Sequence, residues 1–266
     1  MQHTLSDGYL QRFGGIARLY GEPALQALAQ AHFAVIGLGG VGTWAAEALA
    51  RSGVAQLTLI EMDEVCVTNT NRQSHALASN IGQSKNQTLA QRLRDINPEI
   101  TVNCIEDFLD TENMRDYIGK QFHVVVDAMD AAHIKAGLVA YCSAIKVRLI
   151  TVGSSGGKCK PELIEVSDLA HTQGDPMLAK VRHQLYRHYH FARDNKRKFR
   201  VDAVFSAEQM VYPKPDGSVC MDKQFLNDGV KLDCAGGFGS SVMVTGSFGF
   251  AAANRAIERY LQKTVR

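Results

Sequence analysis

The stretch VIGLGGVG, residues 35–42, is the one whose reading settles the architecture. An apolar run, HFAVIG, delivers the chain into Gly37-Leu38-Gly39-Gly40-Val41-Gly42, and TWAAEALARSG behind it has the spacing of an amphipathic helix. Strand, G-x-G-x-x-G and helix in that order form a dinucleotide-binding fingerprint, because glycines let the backbone approach a pyrophosphate at a helix N-terminus. An acidic residue, Asp63, closes the next apolar run, LTLIEMD. Together these signals fit an NAD enzyme and several ATP users equally well.

Outward from that turn, β-rich and helical runs alternate. AQLTLIEMD predicts a second strand, KNQTLAQRLRDIN a helix closed by Pro98, EITVNCIED a third strand and FHVVVDAMD a buried fourth. HIKAGLVAYCSAI reads as a helix and VRLITVGS as strand five. Such alternation indicates right-handed β-α-β units, hence an α/β, Rossmann-like, doubly wound and mostly parallel sheet. Ligands on these sheets sit beyond the carboxyl ends of the strands, where the glycine turn, Asp63 and the Asp127/Asp130 pair all fall. After Gly157 the rhythm changes to a strand, a loop, a basic helical segment and another strand. With no internal repeat and no flexible linker, residues 156–266 read as an elaborated C-terminal half of one domain spanning 1–266, and residues 1–155 as its nucleotide-binding half.

Composition bounds the class. With 266 residues, 45% of them hydrophobic, the chain can bury a sizeable core. A net charge of +2 says little about partners. Cys66, Cys104, Cys142, Cys159, Cys220 and Cys234 form no C-x-x-C pair, so neither a paired-cysteine zinc site nor a disulfide framework is expected. The start, MQHTLSDGYLQRFGG, lacks the features of a signal peptide, and the expected setting is reduced and cytoplasmic. No charge occurs between Asp233 and Arg255, yet glycines and serines dilute the hydrophobicity. A buried helix packed through small residues is favoured there over membrane association through 235–254.

ATP is separated from NAD by DEVCVTNTNRQSHALASNIGQSKNQ. A dehydrogenase needs little here beyond a carboxylate for the ribose. This segment instead supplies Asn69, Asn71, Arg72 and Gln73, then Lys85 at a helix start. Two fixed cations beside a phosphate turn suit a triphosphate reacting at phosphorus. The order RFGGIARLYG, GLGGVG, DEVCVTNTNRQ, GQSK and DAMD resembles the adenylating domain of the ubiquitin-activating-enzyme superfamily, whose bacterial members activate sulfur-carrier proteins for molybdopterin and thiamin synthesis. The resemblance implies ATP and Mg²⁺. It assigns Gly37, Gly39, Gly40 and Gly42 to the phosphates, Asp63 to the ribose, and Asn69, Asn71, Arg72 and Lys85 to ribose and phosphates. Asp130 would organise Mg²⁺ and the reacting carboxylate, supported by Asp127; the catalytic set is Arg72, Lys85 and Asp130. The chain departs from the pattern in three places: Gly15 stands where relatives often carry a partner-reaching arginine, Ala131 follows Asp130 where asparagine is common, and the paired zinc cysteines are missing. Arg12 and Arg18 are the replacements at hand for the first.

The second half carries KVRHQLYRHYHFARDNKRKFR, residues 180–200, a basic segment interleaved with His183, His188, His190, Tyr186, Tyr189 and Phe191. Cations with aromatic faces suit phosphate contacts and stacking on unpaired bases. Arg182, Arg187, Arg193, Lys196, Arg197, Lys198 and Arg200 are the expected RNA contacts. GGKCKPELIEVSDLAHTQGDPMLAKVR followed by VDAVFSAE resembles the tRNA threonylcarbamoyladenosine dehydratases of that superfamily. Their substrate bears a free carboxylate, the group an adenylating site activates. Attack by the neighbouring carbamoyl group on the acyl adenylate would close a ring and release AMP without a protein nucleophile. The resemblance implies tRNA bearing that nucleoside as substrate, a homodimer built through residues 156–266, and a cysteine-desulfurase sulfur acceptor as a further partner class. The alternative is an activator of a ubiquitin-like sulfur carrier. Cys234 in LDCAGG reads as a packed or merely exposed thiol.

Overall fold

The apolar runs become the strands of a single seven-stranded sheet in a computed structural model that describes residues 4–194, 197–214, 216–221 and 238–265. The strands are β1 (His32–Ile36), β2 (Gln56–Ile60), β3 (Thr101–Ile105), β4 (Val124–Asp127), β5 (Arg148–Val152), β6 (Ile164–Asp168) and β7 (Asp202–Ser206). Their order is β3-β2-β1-β4-β5-β7-β6, all parallel except the β6–β7 pair. The doubly wound expectation therefore holds, and strands from both halves of the chain share the sheet. The antiparallel edge strand β6 is the elaboration that the altered rhythm after Gly157 announced. A separate small hairpin pairs β8 (Tyr212–Pro213) with β9 (Val219–Cys220).

Helices α1 (Asp7–Tyr20) and α2 (Glu22–Leu28) precede β1. On one face, α3 (Gly42–Arg51), α4 (Lys85–Ile96) and α8 (Val242–Thr264) pack with Phe33, Val35, Leu57, Leu59 and Val126. The other carries α5 (Met114–Tyr117), α6 (Ala132–Ile145) and α7 (Pro176–His188) over Ala34, Ile36, Val125, Leu149 and Ala203. Local chemistry starts the helices: Ser84 caps α4 by accepting from Gln87 N at 3.3 Å, and Asp175 caps α7 by accepting from Leu178 N at 2.9 Å, with Pro176 behind it. The charge-free stretch splits. Residues 235–237 lie outside the described part, and from Val242 onward the chain is α8, lying on α3 so closely that a Cβ on Gly249 would meet Val41 O at 2.6 Å. Among the described residues no helix is long and apolar enough to cross a membrane.

β1 pairs with β2 on one side and β4 on the other, so the strand order reverses there and the crevice at their carboxyl ends is where a doubly wound sheet takes its ligand. The glycine turn fills that position. Gly37 has φ +82°, and a Cβ on Gly42 would lie 1.8 Å from the Gly37 carbonyl oxygen, a distance no side chain tolerates. At Gly39 an added Cβ meets nothing within 4 Å. Gly42→Ala should therefore lower folding stability by about 1–3 kcal/mol through overpacking, whereas Gly39→Ala should change it by less than about 1 kcal/mol. Urea unfolding midpoints check this, and equal midpoints for the two variants would show that the turn is not constrained at Gly42.

Candidate active site

The glycine turn lies between two walls. Gly37 rests against the Ala128–Met129 backbone, with a built Cβ 3.0 Å from Ala128 O and 3.1 Å from Met129 N. On the other side, a Cβ on Gly40 would meet the Arg72 and Thr245 side chains at 3.1 Å. α3 starts from this turn with no side-chain cap, and its Thr43 N donates back to Gly39 O at 3.3 Å, so the turn and the helix start form one unit of the kind that receives anions.

A long connection, residues 61–84, forms the second wall. Its ends are laced together: Val65 N donates to Gln83 O at 2.8 Å, Gly82 N to Val65 O at 2.9 Å, and Lys85 N to Asp63 O at 3.0 Å. Glu61, buried at the end of β2, accepts from Leu38 N at 2.9 Å, Met62 N at 2.9 Å and Asp63 N at 3.0 Å, so one carboxylate fixes both the glycine turn and the Asp63 backbone. Asp63 faces outward, and Lys85 reaches it from beneath, Nζ to Oδ2 at 2.7 Å, with side chains 51% and 7% exposed respectively. Arg72 is held by Thr68 O at 2.8 Å and Asn71 Oδ1 at 2.9 Å, while Trp44 Nε1 donates to Arg72 O at 2.9 Å. Asn71 Nδ2 donates to Ser240 O at 2.8 Å, tying the connection to the approach of α8. Asn69 differs from its expected place. It is buried, and its Oδ1 accepts from Cys66 N at 3.0 Å, which makes it a brace for the turn preceding Arg72.

Asp127 and Asp130 part company as well. Asp127 is fully buried at the end of β4 and paired with Lys135 of α6 at 2.9 Å; it also accepts from Thr151 Oγ1 at 2.7 Å and Met129 N at 3.2 Å. It shapes the turn from below and has no surface for a ligand. Asp130, three residues on, is exposed at the mouth of the crevice. Farther along the same sheet edge, Lys158 Nζ is buried against Asp175 Oδ2 at 3.2 Å and Ser206 O at 2.7 Å, and Asp175 Oδ2 also accepts from Ser154 N at 2.9 Å. Burial pushes the Lys158 ammonium below its ordinary range, against the pull of the Asp175 charge.

The basic segment is helical only to His188, since α7 ends there and His190 and Arg200 have positive φ. Its aromatic residues are largely spent on packing. Phe199 stacks edge-on with Phe191 at 4.9 Å and Tyr186 at 6.0 Å, the Arg193 guanidinium covers Tyr186 at 5.6 Å, and Arg182 is bonded to Thr172 Oγ1. Arg187, Arg197, Lys198 and Arg200 remain exposed. Lys196 and Cys234 lie outside the described residues.

Glu61, Lys135, Thr151, His75 and the Lys158–Asp175 pair were not singled out from sequence. Lys135 had a readable signal, a cation in the apolar run HIKAGLVAY; Glu61 was masked by Asp63 two residues away. His75 is fully buried, with both ring nitrogens lacking a protein partner, and Gln73 Oε1 and Ser74 Oγ beside it in sequence are likewise unpaired.

A glycine cradle open at Gly39, an uncapped helix start, two cations and an outward carboxylate at Asp63 fit a nucleotide with a phosphate chain. Among the described residues no group of three or more His, Cys, Asp or Glu is placed to hold a metal ion by itself. The class defined by fold and site is thus a doubly wound nucleotide-binding protein with cations arranged for phosphate chemistry. The chain belongs to the ThiF family, which it matches over residues 14–263. It is 48% identical, over 100% of its own length and 99% of the relative's, to the tRNA threonylcarbamoyladenosine dehydratase of Escherichia coli strain K12. A crystal structure of the E. coli tRNA N6-threonylcarbamoyladenosine dehydratase in complex with ATP superposes with a TM-score of 0.88 at 45% identity, covering 99% of both chains. The complex of that enzyme with AMP gives 0.87 at 45% identity, again covering 99% of both.

Burial, then the Lys85 and Arg92 charges, push the His75 imidazole down to about 4 from its ordinary 6.5. An unfolded chain takes up the proton first as the pH falls, so the stability associated with neutral His75 is complete above 6.5 and is lost progressively toward 4. This group should remove up to about 1.4 kcal/mol of stability per pH unit across that window. Urea titrations of wild type and His75→Gln at successive pH values isolate the contribution as a difference in slope. Parallel slopes would show that His75 is not protonated on unfolding.

Proposed function

We propose that this chain is an ATP-dependent tRNA threonylcarbamoyladenosine dehydratase, which activates the carboxylate of the modified adenosine beside the anticodon and closes it into a ring. The observation that carries the reading is the convergence of the open glycine turn, Arg72, Lys85 and Asp130 on one crevice at the switch point of the sheet. The end-to-end identity with the E. coli dehydratase supports the choice of substrate. In this reading the phosphates lie along Gly37, Gly39, Gly40 and Gly42, Asp63 holds the ribose, and Asn71, Arg72 and Lys85 reach the phosphates. Asn69 and Asp127 act from beneath, as braces. Mg²⁺ enters with ATP, and one carboxylate, Asp130, together with phosphate oxygens is a usual way to hold it.

The substrate carboxylate oxygen attacks the α-phosphorus and pyrophosphate leaves, giving an acyl adenylate. The carbamoyl group of the same nucleoside then attacks the acyl carbon, the new bond closes the ring, and AMP leaves. Net loss of one water is balanced by ATP becoming AMP and pyrophosphate. Holding both reactants in one nucleoside makes the second step intramolecular, which by itself supplies a large effective molarity. Residues 1–155 serve the nucleotide and 156–266 the tRNA and a second copy of the chain. The exposed apolar residues Met243 and Phe250 on α8 are surface that such a copy would cover. A tRNA substrate implies a cytoplasmic setting.

Incubation with Mg²⁺-ATP and tRNA carrying threonylcarbamoyladenosine should yield a nucleoside lighter by one water and a matching amount of AMP. An unchanged nucleoside, with ATP–pyrophosphate exchange only on adding a ubiquitin-like carrier, would overturn the reading in favour of sulfur-carrier activation. Lys85→Ala and Arg72→Ala should each lower turnover by roughly 10²-fold or more, through loss of a preorganised cation at the phosphates; near-normal rates refute the assigned role. Reversing Arg197 and Lys198 to Glu should weaken tRNA binding and leave ATP binding nearly unchanged. If about six phosphates are contacted, wild-type affinity should fall roughly 10³- to 10⁵-fold between about 50 and 200 mM salt. A flat salt response removes the basic segment as the main RNA footprint.

A further inference from the structure

A groove of about 410 Å³ runs between α6 and α7, lined by Ala132, His133, Ala179, Lys180, His183 and Gln184. Lys180, His183 and His133 lie outside the arginine-rich set read from the sequence as the tRNA contacts. Ala132 opens α6 only two residues beyond the exposed Asp130, so the groove begins within about 7 Å of backbone from the proposed reaction centre. Lys180 and His183 are three apart on α7 and share a face, and both are exposed, as is His133 opposite them on the first turn of α6. Ala132 and Ala179 keep the floor low.

Flat imidazole faces over a floor of small residues, an ammonium for phosphate and an amide for base edges are the chemistry by which proteins hold single unpaired nucleotides. Tyr186, Phe191 and Phe199 are committed to one another, which leaves histidines as stacking faces along this side of α7. We propose that the α6–α7 groove is a subsite for the unpaired nucleotide that flanks the reacting one in the RNA strand, with His183 and His133 stacking on its base and Lys180 on its phosphate. The inference rests on the tRNA reading above and adds to it the element that seats the flanking nucleotide.

Steady-state kinetics with tRNA bearing threonylcarbamoyladenosine test it in wild type, His183→Ala, Lys180→Ala, His183→Phe and a control, Lys120→Ala, which removes one exposed cation near the opposite, amino end of β4. His183→Ala and Lys180→Ala should raise KM for tRNA by about fivefold or more with kcat within about twofold, as loss of one stacked base predicts, and leave KM for ATP unchanged. His183→Phe should keep KM near wild type. Lys180→Ala should also reduce the slope of affinity against salt by about one. The proposal falls if both alanine variants keep wild-type KM, if Lys120→Ala raises KM as much, if His183→Phe behaves like His183→Ala, or if KM for ATP rises in parallel. No turnover by wild type would overturn the functional reading instead; equilibrium binding of the same tRNA to wild type and His183→Ala would then decide the groove alone.

Discussion

The Asp127–Lys135 ion pair is the constraint on which the site depends. Both side chains are wholly buried, and removing two charges from water is repaid only where every lone pair and proton finds a partner. Here the partners come from three places: Thr151 of β5, the Met129 amide and the Asp127 carbonyl, which takes Lys135 Nζ at 3.2 Å. Loss of either charge would strand the other in the core, at a cost of about 3–5 kcal/mol. Satisfying the pair dictates how the chain leaves β4, hence where Ala128 and Met129 lie. Gly37 packs on that backbone, so the glycine turn takes its position from a pair buried beneath it.

A second buried pair plays the equivalent part on the far side. Asp175 caps α7, accepts from Ser154 after β5, and holds Lys158, which in turn reaches the last carbonyl of β7. One carboxylate thus gathers two strand ends and a helix start at the same sheet edge as the glycine turn. The lowered pKa of Lys158 shows that desolvation outweighs the Asp175 charge. Such a pair adds little net stability and much geometric definition, because alternative packings would leave a charge unpaired. The helix it sets is the one bearing the basic segment, so that segment and the glycine-turn crevice are referenced to one frame.

What the sequence disclosed and what it concealed follow from the same physics. The parallel sheet was legible because strands buried on both faces are unbroken apolar runs, and because turn chemistry, as at Gly37–Gly42, is local. Lys85, Arg72, Asp63 and Asp130 could be singled out because they are polar residues at strand ends and in the connection beyond them. Asn69 and Asp127 looked the same in sequence yet turned inward. Whether a side chain at a strand end faces ligand or core is decided by residues far away, here Lys135 and Thr151, which no local pattern reports. The aromatic residues of the basic segment deceived for a related reason. Their spacing suits stacking on RNA, but Phe191 and Phe199, with Tyr186, find each other once Asp168 takes the Phe199 and Arg200 amides at 2.9 and 2.8 Å.

The arrangement of Lys85 and Asp63 connects these points to catalysis. A lysine alone in the crevice would lose rotamer freedom when the phosphates arrived, and that loss would subtract from binding. Here the ammonium is already localised, only 7% exposed and aimed by a carboxylate that is itself held through the Glu61 contact to its amide. Arg72 is likewise pinned by Thr68 and Asn71 before any nucleotide is present. In the proposed reaction, cations fixed in this way would need no reorganisation as charge moved onto the leaving pyrophosphate, which is where electrostatic preorganisation does most for the rate. Glu61 is consequently a positioning residue for both the turn and Lys85. Glu61, immediately after β2, has been turned to scaffolding, while Asp63, two residues farther out, is left half-exposed at the crevice.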